Sequence, residues 1–259
     1  MRCLYPEPRD VAVNELYADP GWAPLPDRPL VALNMVSSVD GRATVDGSAA
    51  TIGSPVDHTL VMALRASADA LLFGAGTVRA ERVGKGVPAA LVPGRVARGL
   101  APQPLLALLT ASGNVPLERA LFADPDRIVV FIAHATPAAA VARLRARATV
   151  RVVGDERPDP ATAMGVLGRE YGVRHVLCEG GPTLNAALLA AGVLDELFLT
   201  LAPKLLSGAG LPLVAGAALT PPVPLALRSL YEHAGELYLR YAIGAGRPSR
   251  HEDVETRDG

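Results

Sequence analysis

Residues 175–189, HVLCEGGPTLNAALL, read as a short strand that runs through two glycines into a helix. The apolar run ends at Cys178, and Pro182 opens the helical pattern at the first position, where its missing N–H is no loss. Gly180 and Gly181 let the backbone approach a ligand, the unpaired amides of a helix start point at an anion, and the Thr183 hydroxyl adds a donor. A structural turn without a ligand carries the same signature. Glu179 stands in that turn, where its charge repels a phosphate, so it suits a neutral or cationic ligand group.

The same alternation recurs on both sides of this segment. Strands are expected at 29–37, 68–73, 104–109, 127–133, 150–153, 174–178 and 196–202. Helices are expected at 55–67, 137–147, 161–171 and 182–191, the second with Arg143, Arg145 and Arg147 on a solvated face. For the first helix, Ser54 is the expected cap, Pro55 takes the first turn and Asp57 faces the positive end of the dipole. The runs 225–231 and 236–242, split by a short polar turn, read as a terminal hairpin. This order predicts an α/β fold: a mixed, mostly parallel sheet flanked by helices, with an antiparallel hairpin at the C-terminal end.

Three regions follow. Residues 1–29 form a proline-rich arm with Trp22 as its anchor, 30–243 form the domain, and 244–259 form a polar tail expected to be disordered. Within the domain, 83–104 carries Pro88, Pro93, Pro102 and Pro104 and reads as a long irregular loop.

The chain has 259 residues, half of them hydrophobic and a fifth charged, which suffices for a full core and rules out a mostly disordered protein. A net charge of −1 gives no general attraction to nucleic acid or acidic membranes. Cys3 and Cys178 are too few for a disulfide scaffold or thiolate cluster, so a reducing, cytoplasmic setting is expected. The N-terminus lacks a basic-then-apolar leader, and no apolar run reaches the roughly 18–20 residues that cross a bilayer. With no Cys-x-x-Cys, no His-x-Glu and no metal spacing among the histidines, a zinc deaminase site is excluded and no metal is expected. Hydrolase and kinase readings fall away with the absence of G-x-S-x-G and of a P-loop.

Two further clusters bear on chemistry. In residues 71–81, LLFGAGTVRAE, Gly74, Gly76 and Thr77 follow a strand directly. They match only the first two glycines of a dinucleotide fingerprint, with Arg79 at the third, so a plain strand exit is equally compatible. Residues 34–58, NMVSSVDGRATVDGSAATIGSPVDH, set Asn34, Ser38 and Asp40 at the end of the first strand. Asp40 and Asp46 each precede a glycine and read as turn-formers, while Asp57 reads as a capping aspartate.

Taken in order, MVSSVDG, LRASADALLFGAGTVRAE and CEGGPTLNAALLAAGVLDELFLTLAPKLLSG resemble the reductase domain of bacterial riboflavin biosynthesis. That family has the dihydrofolate-reductase-like fold, and the resemblance spans about 30–242. Many members are fused behind a deaminase; this chain is similar to the stand-alone pyrimidine reductases. The resemblance implies NADPH-dependent reduction of 5-amino-6-(5-phosphoribosylamino)uracil, with hydride passing to the sugar C1′ of an opened imine. It implies cofactor contacts at Gly74, Gly76, Thr77, Glu81 and Thr110. It further implies a pyrophosphate cradle at Gly180, Gly181, Pro182, Thr183 and Leu184. Arg65 and Glu179 match family residues that contact substrate, and Asn34 and Ser38 are grouped with them. Asp40 and Asp57 are the carboxylates expected near the reacting centre, as hydrogen-bonding groups or a proton source. No arginine is assigned to the cofactor's 2′-phosphate. A homodimer is implied, with the apolar 197–206 run and the terminal hairpin as its surface.

The chain departs from the family in two places. No tryptophan precedes the Ser-Pro of the first helix, where residues 49–53 read AATIG, and the loop after Glu81 lacks an acidic-Pro pattern. Arg82, Lys85 and Arg95 are candidates to bind the substrate phosphate there, or else face solvent. Two alternatives stand beside the pyrimidine: a dihydrofolate or other pterin or imine substrate on the same fold, and a non-catalytic nucleotide-binding module.

Overall fold

A computed structural model of the chain describes residues 1–81 and 86–244. The first half contains β1 (Arg2–Tyr5), β2 (Arg9–Asp10), β3 (Leu30–Ser38), α1 (Pro55–Ser67), β4 (Ala70–Gly74), α2 (Ala75–Ala80), α3 (Val92–Ala97) and β5 (Leu105–Leu109). Then come β6 (Ile128–Ile132), α4 (Ala138–Arg145), β7 (Thr149–Val152), α5 (Pro160–Tyr171), β8 (His175–Cys178) and α6 (Pro182–Ala190). The chain ends in β9 (Glu196–Ala202), β10 (Leu225–His233) and β11 (Glu236–Ile243).

The strands form one sheet in the order β2-β1-β10-β11-β9-β3-β8-β4-β5-β6-β7. From β9 to β7 all neighbours are parallel, and β11, β10, β1 and β2 add on antiparallel. The inner strands are apolar on both faces because both are covered. Leu71, Phe73, Leu106, Leu108 and Val130 pack with Leu60 and Leu64 of α1 and Leu144 of α4. Ala70, Leu72, Val129 and Phe131 pack on the other side with Met164 and Leu167 of α5 and Leu184 and Leu188 of α6.

The helix ends follow the local chemistry. Ser54 caps α1 by accepting from the Asp57 amide, with Pro55 at the start. Asp159 does the same for α5, and Gly172, at φ 65°, ends it.

Three sequence expectations change. The N-terminal arm does more than drape: β1 pairs with β10 and extends the sheet, with Cys3 fully buried. Trp22 does anchor the arm, donating from Nε1 to Glu196 Oε2 at 3.0 Å and packing edge-on against Phe198. The 83–104 segment is not irregular throughout, since a 3₁₀ turn at Ala89–Leu91 leads into α3. Pro93 and Gly94 read as breakers, yet a proline in the first turn is tolerated, and one buried side chain holds this short helix in place. That side chain is Arg95, whose guanidinium donates to the carbonyls of Arg65, Ala66 and Ala68 at the end of α1 and to Ala101. Arg95 is therefore a structural clamp and is not available to a phosphate. Arg82, Lys85 and the tail from 245 onward lie outside the described residues.

No helix among the described residues is long and apolar enough to cross a membrane. Among the same residues no group of three or more His, Cys, Asp or Glu side chains could hold a metal ion.

Candidate active site

A cleft of about 1760 Å³ opens at the carboxyl ends of β3, β4, β5 and β8. Open parallel sheets place their ligands there, because the loops that leave the strands diverge to opposite faces. The volume exceeds a typical single-ligand pocket of roughly 300–1,000 Å³ and suits a dinucleotide with a second small molecule.

Two glycine turns that are far apart in the chain meet at the centre of this cleft. The β4–β8 pairing continues past the strand ends, with Glu179 N donating to Leu72 O at 3.0 Å and Gly74 N to Gly180 O at 2.8 Å. Gly180 takes φ +83°, and the Gly180–Gly181 peptide is cis. A Cβ on Gly181 would sit 2.9 Å from Thr77 Oγ1, and one on Gly74 would sit 3.4 Å from Leu184 Cβ. A side chain at Gly181 would force the Thr77 hydroxyl aside, so the two turns approach most closely with glycine there. No side chain caps α6, and Pro182 brings no N–H, so the first-turn amides beside Thr183 face the cleft uncommitted. Directly after β4, α2 begins at Ala75 and presents Gly76 and Thr77 from its first turn.

Glu81, expected at the cofactor, has its carboxylate engaged by the neighbouring loop. It accepts from Ser48 Oγ at 3.0 Å and from the Ala49 amide at 2.7 Å while lining the cleft. Thr110 sits at the end of β5 on the cleft wall, its Oγ1 accepting from the Gly113 amide at 3.1 Å.

Arg65 and Glu179 form a bidentate pair on the cleft wall. Arg65 Nε donates to Oε1 at 2.6 Å and Nη2 to Oε2 at 2.5 Å. A third donor, Nη1, reaches the Gly86 carbonyl at 3.2 Å. The Glu179 carboxylate beside it holds the guanidinium in its charged form against the cost of burial. Arg65 and Glu179, both expected at the substrate, thus stand together on the cleft wall, the arginine fork filled by the carboxylate that it orients. Asn34 also lines the cleft, from β3.

Asp40 and Ser38 do not join them. Asp40 is exposed outside the cleft and fastens the chain after β9, accepting from the amides of Leu206 at 3.1 Å and Ser207 at 2.7 Å. Ser38, fully buried, donates to Asp40 at 2.6 Å and accepts from the Arg42 amide at 3.0 Å. The Ser38 hydrogen bond, reinforced by those two amides, holds the Asp40 carboxyl down to about 2. An acid that strong has no proton to give near neutrality, so the expectation that Asp40 is catalytic is corrected.

Asp57 behaves oppositely. It lines the cleft, and its carboxyl folds back against Gly53, where any Cβ would collide with Oδ2. Burial pushes it up to about 6, a hydrogen bond with Thr200 partly opposes this, and the charge of Glu236 adds to the rise. Glu236 is buried on β11 and accepts from Ser54 N at 3.2 Å, from Ser54 Oγ at 2.5 Å and from the Tyr238 hydroxyl. Burial and Glu236 together raise the Tyr238 phenol, so it stays a donor. Sequence reasoning missed Glu236, Tyr238 and Thr200. The run 236–242 alternates polar and apolar, which ordinarily puts the polar stripe toward water; here that stripe packs beneath the start of α1. Cys178 ends β8 fully buried, its thiol pushed up to about 12 by burial, so it is no nucleophile.

A family model described as the RibD C-terminal domain matches residues 29–236. The chain belongs to this family. Among curated relatives of the RibD C-terminal domain, the chain is 31% identical over 189 residues to a 2,5-diamino-6-ribosylamino-4(3H)-pyrimidinone 5′-phosphate reductase of Archaeoglobus fulgidus. That alignment covers 72% of this chain and 86% of the relative. It is 32% identical over 182 residues to the riboflavin biosynthesis protein RibD of Mycobacterium tuberculosis, covering 70% of this chain but 44% of that longer protein. A solved pyrimidine reductase-like protein from Corynebacterium diphtheriae shares the fold, with a TM-score of 0.75 at 24% identity over 88% of this chain and 98% of that one. The resemblance of the three motifs, the fold class and the oxidoreductase class expected from them all hold.

Proposed function

We propose that this RibD C-terminal domain uses NADPH to reduce 5-amino-6-(5-phosphoribosylamino)uracil, delivering hydride to the sugar C1′ of the opened imine. The observation that carries the reading is the close apposition of the Gly74–Thr77 and Gly180–Thr183 segments at the cleft centre. Support for a dinucleotide comes from an uncapped helix start, its positive dipole end facing the close approach of Gly181 and Thr77. Gly181, Thr183 and Leu184 would hold the pyrophosphate, with Thr77 and Thr110 flanking it. Bound there, the nicotinamide supplies the hydride.

The remaining steps belong to the chain's own groups. Glu179, held by Arg65, accepts from ring N–H or amino donors of the pyrimidine and so fixes the ring's orientation. Reduction of the C1′=N bond adds hydride at carbon and a proton at nitrogen. Burial lifts Asp57 to about 6, so this cleft carboxyl holds its proton to a higher pH than an ordinary carboxylate, and it is assigned as the source. Asn34 supplies an amide to the substrate from β3.

A second substrate reading has its own support. The relatives most fully covered by this chain are named for the 2,5-diamino-pyrimidinone, which carries an amino group where the uracil has a carbonyl. A carboxylate such as Glu179 accepts from that amino group directly. Stopped NADPH consumption assays with the uracil, the diamino-pyrimidinone and dihydrofolate side by side decide among them. Turnover of either pyrimidine supports the reductase reading and names its substrate; turnover of dihydrofolate alone overturns it. Nucleotide binding with no turnover of any of the three would favour the non-catalytic alternative.

The protein is further read as a cytoplasmic homodimer. Both cysteines are buried free thiols, which suits a reducing compartment. With Glu236 and Tyr238 turned inward, the opposite face of the last strands carries Leu199, Leu239 and Leu230 in register, beside Leu201 and Leu237. All five are only half-buried. A contiguous leucine face of this kind suits an isologous contact with a second copy.

A further inference from the structure

Among the described residues, four arginines line the cleft: Arg65, Arg79, Arg127 and Arg157. Two of them are ion-paired, and a third has one donor committed to a backbone carbonyl. Arg65 pairs with Glu179, Arg79 donates to the Asn114 carbonyl at 2.8 Å, and Arg127 pairs with Asp124 at 2.8 Å. The guanidinium of Arg157 has no hydrogen bond or ion pair, and the residue is exposed. Asp155 and Glu156 precede it in the same loop, yet neither carboxylate pairs with it.

The loop that bears Arg157 is firmly built. The Ala135 amide donates to Asp155 O at 2.8 Å and the His134 amide to Gly154 O at 2.9 Å, stapling the exit of β7 to the exit of β6. The Asp159 amide closes the loop on Val153 O, and Gly154 lies so near the Arg157 carbonyl that a Cβ there would overlap it. An uncommitted guanidinium is thus presented from a fixed backbone at the far wall of the cleft.

We propose that Arg157 reads the 2′-phosphate of the dinucleotide and thereby sets a preference for NADPH over NADH. The inference rests on the nicotinamide reading above, and its argument is one of position. The pyrophosphate cradle lies beside the end of β4, and β5, β6 and β7 follow in order across the sheet. Three strand spacings of about 4.8 Å put the β7 edge about 14 Å from the cradle. An adenosine extending from the cradle toward β7 would pass the end of β5, where the small residues Ala111 and Ser112 line the cleft. Its 2′-phosphate would then come within reach of a long side chain extending back from the β7 loop. A guanidinium suits that task, because its planar fork donates two parallel bonds to phosphate oxygens and it stays charged at all working pH values.

The test is nucleotide binding by calorimetry, independent of turnover, with NADPH, NADH, 2′,5′-ADP and 5′-ADP as probes. Arg157→Ala should weaken NADPH and 2′,5′-ADP by about 10- to 100-fold, the range expected for hydrogen bonds to a charged group, and leave NADH and 5′-ADP unchanged. Arg157→Lys should retain part of the preference. The side chain is exposed, so folding is not at stake in either variant. Unchanged NADPH affinity in Arg157→Ala, or equal weakening of NADPH and NADH, overturns the assignment while leaving the cofactor reading intact. Failure of the unaltered protein to bind any of the four probes overturns both.

Discussion

The hydroxyl of Ser54 accepts from the Asp57 amide at 3.2 Å and donates to Glu236 Oε2 at 2.5 Å. One side chain thereby caps the helix that carries a cleft carboxyl and ties it to the last strand of the sheet. Removing either partner takes one hydrogen bond from a buried cluster that keeps its others. Glu236→Ala should cost about 1–3 kcal/mol and Ser54→Ala about the same, while the double variant costs less than the sum because both lose one shared bond. Denaturant unfolding of the three variants tests this; strict additivity would show that the bond contributes nothing.

Asp57 makes stability depend on pH in an unusual direction. Its folded value of about 6 lies above the ordinary 3.8, so the folded state holds the proton more tightly than the unfolded chain. Stability from this group is therefore full below the unfolded value and is lost as pH rises through about 6. Asp57→Asn, which cannot ionise, should gain on the unaltered protein across that window by an amount on the order of 2 kcal/mol. Melting curves at pH 4 and pH 7 give the comparison, and an equal difference at both would be against it.

The same carboxyl predicts a rate profile. If Asp57 delivers the proton, turnover falls as pH climbs above about 6, and Asp57→Asn loses roughly 10²–10⁴-fold in kcat with little change in nucleotide affinity. A variant that keeps near-normal kcat would remove Asp57 from the chemistry.

A side chain at Gly181 would displace the Thr77 hydroxyl. With Thr77 Oγ1 only 2.9 Å from any Cβ, Gly181→Asp both crowds the cradle and adds a negative charge where the pyrophosphate is read to sit. Dinucleotide binding should be abolished in a protein whose circular dichroism is unchanged. NADPH affinity equal to that of the unaltered protein would sink the cradle.

Arg65 and Glu179 are both largely buried, with side-chain exposures of 8% and 14%. Arg65→Ala leaves a carboxylate unpaired there, and a loss of about 3–5 kcal/mol is expected. Replacing both by apolar residues should restore much of that stability while leaving the protein inactive, which separates the pair's structural weight from its part in orienting substrate. An inactive double variant as unstable as Arg65→Ala would contradict this account.

Legibility followed how local the signals are. The α1 limits, the Ser54 cap, the parallel strands and the glycine turns are written in runs of a few neighbouring residues, and the structure has them where the pattern puts them. Motif order across about 30–242 was enough to reach the family, because three short patterns in sequence are far rarer than any one of them. Asp40 and Asp57 show where this stops: both are aspartates in turn or cap chemistry, indistinguishable by type. Only the fold gave one to the segment after β9, with three donors, and buried the other beside Glu236.

Arg65, Arg95 and Arg157 make the same point for cations. Sequence counts them alike, whereas tertiary contacts pair the first, bury the second against carbonyls and leave the third uncommitted at the cleft. The hairpin is the sharpest case, because alternation in 236–242 correctly names a strand but cannot say which stripe faces in. Residue chemistry and spacing determine elements, since those depend on torsions and neighbours within one turn or pleat. Charge state, pairing and which face is covered depend on segments more than a hundred residues away, so only the packed chain decides them.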